Sequence, residues 1–416
     1  MPESRAHPRL YTIPPSAPFL TTLARAILAG DLPAPGGAKP GRLSLPKTTI
    51  YLPTRRAART LREAFLVESG GEAMLLPRIL ALGHADEDAA LILDAEQFGA
   101  ADSHLGTPAI EPTARLIALM RMILAWSRST AEGVSADSQE RPPMTPAQAA
   151  SLAADLAALM DTAHSEEVDL RALEALVPEE LAAHWARTVD FLAILTEQWP
   201  KFLDGIGLVS PVVRRNLLMA QETQRLADGS PYPVIAAGST GTVPATARLL
   251  QTIASLSNGA VVLPGLDLSL DDESWETLSA HPEHPQAGMA ELLTKLGATR
   301  ADVATVPSSA PATPEQMRLR LVSETLRPAE TTELWQEALA GTDKSPIDIA
   351  AALQGLSLVE APTAHDEAET IALIMRWSIE QPGKTAALVT PDRELARRVA
   401  ARPGGQALPR ARLRDR

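Results

Sequence analysis

Four arginines, Arg55, Arg56, Arg59 and Arg62, follow a threonine, Thr54, that is itself delivered by the apolar run Thr49-Ile50-Tyr51-Leu52 and Pro53. A buried strand ending at a threonine-capped helix start would set free backbone N–H groups beside guanidinium groups, a combination suited to phosphate. Helical spacing puts Arg55, Arg59 and Arg62 on one face. These residues are candidates for contact with a nucleic-acid backbone. The same pattern also describes a solvated basic face paired with Glu63 and Glu68.

Thr54-x-x-Ala57-Ala58-x-x-Leu61 after an apolar strand resembles motif Ia of superfamily 1 helicases, which touches single-stranded DNA. That resemblance implies an ATP-binding loop one strand earlier, at Pro14, Pro15, Pro18, Phe19, Leu20 and Thr21. A working phosphate loop needs glycine for close backbone approach and a Lys–Ser/Thr pair for phosphate and magnesium. Here Pro18-Phe19-Leu20 stand roughly where Gly-Lys-Thr would be, so the expected loop is degenerate. The magnesium-binding acidic pair is likewise replaced: after Val234 to Ala237 the chain reads Gly238-Ser239-Thr240-Gly241. Such a turn could hold an anion through its amides or could simply be a tight strand-to-helix turn.

Three other patterns read as structure. Gly383-Lys384-Thr385 spells the end of a phosphate loop but precedes its strand, so it is expected to be a turn. His281-Pro282-Glu283-His284 lacks a third strong ligand and reads as a loop, and Asp271-Asp272-Glu273 reads as a helix start. No catalytic residue and no metal site is expected.

The elements that must position these residues follow from composition and patterning. Hydrophobic residues make up 45% of 416 and aromatics only 3%, so the cores are built largely from Leu, Ala, Val and Ile. Ala- and Leu-rich stretches favour helix, and short Val/Ile-rich runs between them read as buried strands, which together define an α/β fold. A net charge of −13 argues against a nucleic-acid coat protein while leaving room for a local basic strip. With no cysteine there is no disulfide, thiolate nucleophile or cysteine-held cluster. The chain has no membrane-length apolar run, and its start lacks the apolar core of a secretory signal, so a cytoplasmic protein is expected.

Along the chain, strands are expected at Leu10 to Ile13, Thr48 to Leu52, Met74 to Leu76, Val234 to Ala237 and Ala260 to Leu263. Helices are expected at Phe19 to Ala29, Arg55 to Glu68 and Pro244 to Ser255. A doubly wound parallel sheet is interrupted by consecutive helices, with a capping box at Thr145-Pro146-Ala147-Gln148. Trp185, Val189, Leu192 and Leu195 form a further helical stripe closed by Trp199-Pro200, and a polar loop spans Thr130 to Pro143. A last unit comprises strand Leu356 to Glu360, helix Asp366 to Ile379, strand Thr385 to Val389 and helix Arg393 to Ala400. The corresponding organisation is 1–111 and 226–350 for the first α/β domain, 112–225 for an all-helical insertion, and 351–400 for the start of a second α/β domain. Residues 401–416, with five Arg, two Pro and two Gly, are either a disordered basic tail or a departure from the ancestral sequence such as a shifted reading frame.

Taken in order, these segments resemble the alphaproteobacterial type of AddB. The resemblance is carried by Tyr11-Thr12-Ile13-Pro14-Pro15 with Pro18-Phe19-Leu20, by Leu52-Pro53-Thr54-Arg55-Arg56-Ala57-Ala58, and by Leu75-Leu76-Pro77-Arg78-Ile79. It continues in Ala237-Gly238-Ser239-Thr240-Gly241 with Pro244-Ala245-Thr246-Ala247, Val262-Leu263-Pro264-Gly265-Leu266-Asp267, His281 to Gln286, and Ala387 to Arg393. The resemblance implies a P-loop-NTPase-like, superfamily 1 helicase-like first domain. It also implies a scaffold role beside AddA, an ATP-driven helicase–nuclease that processes broken DNA ends. The family's iron–sulfur cluster would belong to a C-terminal nuclease domain absent from this chain, so no cofactor is expected here.

Overall fold

The computed structural model describes residues 9–33, 39–41, 43–82, 107–132, 144–172, 191–307, 313–336 and 347–401. Its centre is a six-stranded, wholly parallel sheet in the order β3-β2-β4-β5-β1-β6. The strands are β1 (Leu10–Ile13), β2 (Thr49–Leu52), β3 (Arg78–Ala81), β4 (Val234–Ala237), β5 (Gly259–Pro264) and β6 (Val303–Thr305). Apolar residues on both faces of β4 and β5 are what a parallel sheet covered on both sides requires.

One face is covered by α1 (Phe19–Ala29) and α2 (Arg55–Glu68). Leu23, Ile27, Leu61 and Phe65 from these helices pack on Ile13, Ile50, Leu52, Ile235 and Val262 of the strands. The chain then passes through α3 (Pro112–Glu132), α4 (Pro146–Ser165), a π-helical turn (Ile194–Gln198) and α5 (Trp199–Ile206). These helices share a core of their own, including Leu119, Ile123, Leu156, Met160 and Trp199. The segments at the base of this block are zipped together. Ile110 N–H donates to Val209 O at 3.0 Å, and Val209 N–H to Pro108 O at 3.1 Å.

Helix α6 (Pro211–Ala227) closes the run of helices but packs on the sheet, through Leu218, Met219 and Leu226. It shares the second face with α7 (Pro244–Ser255) and with α9 (Ala287–Leu296), which follows the short α8 (Asp272–Thr277). Then come α10 (Thr313–Thr325), a 3-10 segment (Ala329–Leu334) and the four-residue α11 (Ile349–Ala352). Residues beyond Ala352 form a second compact unit with α12 (Ala364–Ile379) and α13 (Arg393–Ala400), joined through Ala368, Ala372, Leu395 and Val399.

Several expectations are corrected. The strand expected at Met74 to Leu76 lies instead at Arg78–Ala81, because Pro77 precedes the ladder instead of ending it. Met74 and Leu76 pack at the sheet's margin without pairing in it. The helical stripe does not close at Trp199-Pro200: the helix runs on through the π-turn into α5, which carries Pro200 in its first turn. Leu356 to Glu360 and Thr385 to Val389 are not strands, since among the described residues neither finds a ladder partner. The short β6 was not expected at all. The Thr130 to Pro143 loop (beyond the helical 130–132), Trp185, Val189 and the 402–416 tail lie outside the described residues.

Candidate functional site at the carboxyl edge of the sheet

Four strands empty their chains at one edge: β1 into Pro14, β2 into Pro53 and Thr54, β4 into Gly238, and β5 into Gly265. In open α/β sheets this edge carries the ligand crevice, where neighbouring strands lead to helices on opposite faces. Here β1 and β2 lead to α1 and α2 on one face, while the adjacent β5 and β4 lead toward the other. The strand ends are clamped together. Gly265 N–H donates to Ile13 O at 2.9 Å and Gly238 N–H to Val262 O at 2.9 Å. The buried Thr12 hydroxyl donates to Leu263 O at 3.3 Å and accepts from Leu266 N–H at 3.0 Å.

Hydrocarbon fills the space between these ends. Pro14 to Ala17 make a turn closed by Ala17 N–H to Pro14 O at 3.0 Å, and α1 starts from Pro18, which contributes no side-chain cap. Phe19 lies against Gly238: a β-carbon there would stand 3.2 Å from the ring and 3.6 Å from Pro53 Cδ. Pro15 lies against Gly265, where a β-carbon would come within 2.8 Å of its Cγ. Both glycines have positive φ, 77° and 73°, so they serve a turn and a close approach together. Leu20 and Thr21 belong to the first turn of α1 and are half-buried. The Gly238-Ser239-Thr240-Gly241 turn is closed locally, with Gly241 N–H donating to Ser239 Oγ at 3.3 Å and Leu292 packed where a Gly241 side chain would go.

Beside this edge stands the start of α2. Thr54 is extended and accepts from Ala57 N–H at 3.1 Å, a side-chain cap of the kind its sequence position implies. Ala58, Leu61, Ala64 and Phe65 are buried, whereas Arg55, Arg56, Arg59 and Arg62 are exposed. Arg62 reaches the neighbouring strand, donating to Ile79 O at 3.3 Å. Glu68 is engaged by Arg25 of α1 in a two-pronged pair at 2.9 Å, which holds its carboxyl below the usual range. It is therefore α1, not the arginine row of α2, that takes this carboxylate.

Two buried polar clusters escaped the sequence reading. The Tyr51 hydroxyl on β2 donates to Glu222 of α6, whose carboxylate also accepts from Arg225 at 2.6 and 2.7 Å. Burial, then the carboxylate beside it, pushes the Tyr51 hydroxyl well above its ordinary value. The Glu222-x-x-Arg225 spacing was the available signal. In the second cluster, Arg327 ties Asp271, the N-cap of α8, to Glu324 and to Ser274, and Ser274 meets the Thr331 hydroxyl at 2.7 Å. No group of three or more His, Cys, Asp or Glu suited to a metal ion occurs among the described residues. Gly383 and Lys384 belong to a turn, with Lys384 N–H donating to Gln381 O at 3.1 Å, and Thr385 follows it.

No protein-family model matches the chain, and no curated protein sequence matches it. Among the described residues no helix is long and apolar enough to cross a membrane.

Proposed function

We propose that this chain is a non-catalytic, helicase-like scaffold of AddB type, acting in the cytoplasm within a complex that processes DNA double-strand breaks. In this reading Thr54, Arg55, Arg56, Arg59 and Arg62 grip a single strand near a DNA end, and the chain docks onto an AddA-type partner that supplies ATP hydrolysis. The sequence resemblance supplies the family. The observation that carries the non-catalytic part is the apolar filling of the strand ends, where Phe19 and Pro15 close on Gly238 and Gly265. A triphosphate needs converging N–H donors and a cation at such an edge. Proline has no N–H to offer, and a phenyl ring cannot neutralise phosphate.

The test is fluorescence anisotropy with a labelled single-stranded oligonucleotide across a salt series, beside calorimetry with ATP and magnesium. The triple variant Arg55→Ala, Arg56→Ala, Arg59→Ala is expected to weaken binding and to flatten the salt slope by roughly 0.7 for each phosphate no longer neutralised. An unchanged slope removes those arginines from the interface, and no binding by the wild type leaves a purely structural interaction protein. Micromolar ATP binding would overturn the non-catalytic reading in favour of an ATPase with an atypical site.

A further inference from the structure

The loop 281–286, between the 3-10 turn Leu278–Ala280 and α9, carries two histidines with opposite proton requirements. The His281 ring meets a carboxylate on each nitrogen: Glu283 at 3.1 Å from Nδ1 and Glu330 at 2.9 Å from Nε2. A neutral imidazole has one N–H, so both oxygens are served only by the imidazolium. His284 has the other arrangement. Its Nδ1 accepts from Gln286 N–H at 3.1 Å, which leaves Nε2 to donate to Leu326 O at 2.9 Å, and that requires the neutral ring.

The two rings therefore join one loop to one facing segment, Leu326 to Leu334. The same loop reaches the carboxyl edge through Gln286, whose side chain accepts from Asp267 N–H at 3.0 Å and donates to Gly265 O at 3.1 Å. A shared metal ion is not the explanation, because the carboxylates lie on opposite ring nitrogens and cannot converge on one point. The titratable groups facing His281 are Glu283 from its own loop and Glu330 from the 3-10 segment. Arg327, next along the facing segment, is committed to Asp271 and Glu324.

We propose that His281 and His284 form a proton-operated latch between the 281–286 loop and the Leu326–Leu334 segment, closed while His281 is an imidazolium and His284 is neutral. When His281 releases its proton to water, one carboxylate is left facing a lone pair, and the facing segment is held by fewer donors. The side-chain hydrogen bonds to Glu283 and then Glu330 raise the His281 titration above the ordinary 6.5. The contribution of His281 is thus complete below that ordinary value and is lost as pH rises through the raised one.

Two measurements on the full chain test this. Histidine-labelled NMR should show His281 titrating above a free imidazole, and Glu330→Gln should lower its midpoint. Hydrogen exchange between about pH 5.5 and pH 8.5, with Leu326–Leu334 referenced to the amides of α7, should show protection falling about two- to five-fold through that titration, the scale of exposed pairs. His281→Gln should be flat at the lower protection. A His281 midpoint at or below that of free imidazole, a midpoint indifferent to Glu330→Gln, or the same pH dependence in His281→Gln would each overturn the latch.

Discussion

At the scale of single residues, the carboxyl edge turns on Phe19 and the bare face of Gly238. Gly238 has φ of 77°, so Gly238→Ala costs backbone strain, about 1–3 kcal/mol, and also forces its new methyl against the Phe19 ring. Phe19→Ala removes half-buried packing and should cost about 1–3 kcal/mol, below the range for fully buried rings. Since the ring is one source of the first penalty, the double variant should cost less than the sum by about 0.5–1 kcal/mol. Denaturant unfolding of the three proteins measures this, and strict additivity would mean the ring does not rest on Gly238. Only half of this was legible beforehand. That Pro18-Phe19-Leu20 lacks glycine and lysine is readable from residue types. That Phe19 and Pro53 would both close on Gly238 was not, because three chain ends far apart in sequence meet only once the sheet is ordered.

Elements were legible where local chemistry agreed with their final setting. The strands at Leu10–Ile13 and Val234–Ala237 are near-continuous apolar runs, and the Thr54 and Thr145 caps were explicit in side-chain type and spacing. Leu356 to Glu360 and Thr385 to Val389 have strand composition too, but a strand exists only through a partner, and composition does not name one. The joints between elements were legible only in part, since the Glu222-x-x-Arg225 spacing marks the ion pair but not the strand it fastens. Tyr51, Glu222 and Arg225 fasten β2 to α6 with a carboxylate only 2% exposed, so Glu222→Gln should destabilise by roughly 2–4 kcal/mol, less than a fully enclosed pair because Arg225 retains solvent contact. Tyr51→Phe leaves the ion pair intact and should cost about 1.5–3 kcal/mol. Equal unfolding free energies for wild type and Glu222→Gln would show the cluster to be incidental. A buried ring beside a second joint responds to acid: the backbone carbonyl of His164 on α4 accepts from Asn216 of α6 at 2.9 Å, and burial lowers the titration of the His164 ring itself below the ordinary 6.5. Its neutral form contributes stability above that value that is lost as pH falls through the lowered one. His164→Gln should therefore reduce the loss of unfolding free energy on acidification below about pH 6.5, and an unaltered acid limb would refute it.

At the scale of the whole molecule, stability should be unevenly divided between the two compact units. The first has a sheet covered on both faces and a separate helical core. The second rests on Ala368, Ala372, Leu395 and Val399 with a few partly buried neighbours, two of its four core residues being alanine. Leu358 and Val389 remain 87% and 93% exposed, and Trp377 65%. A core that small offers little burial against the entropy of ordering two helices and their connections. Local opening of the second unit should thus need far less free energy than global unfolding of the sheet. Native-state hydrogen exchange should find the slowest amides of α12 and α13 exchanging at least about a hundredfold faster than those of β4 and β5, with weaker dependence on denaturant. Replacing Leu358 and Val389 by lysine should leave that exchange nearly unchanged, because neither side chain contributes burial to lose. Equal protection in the two sets of amides, or a large acceleration in the lysine variants, would show that the exposed segments are held by interactions that their solvent exposure denies.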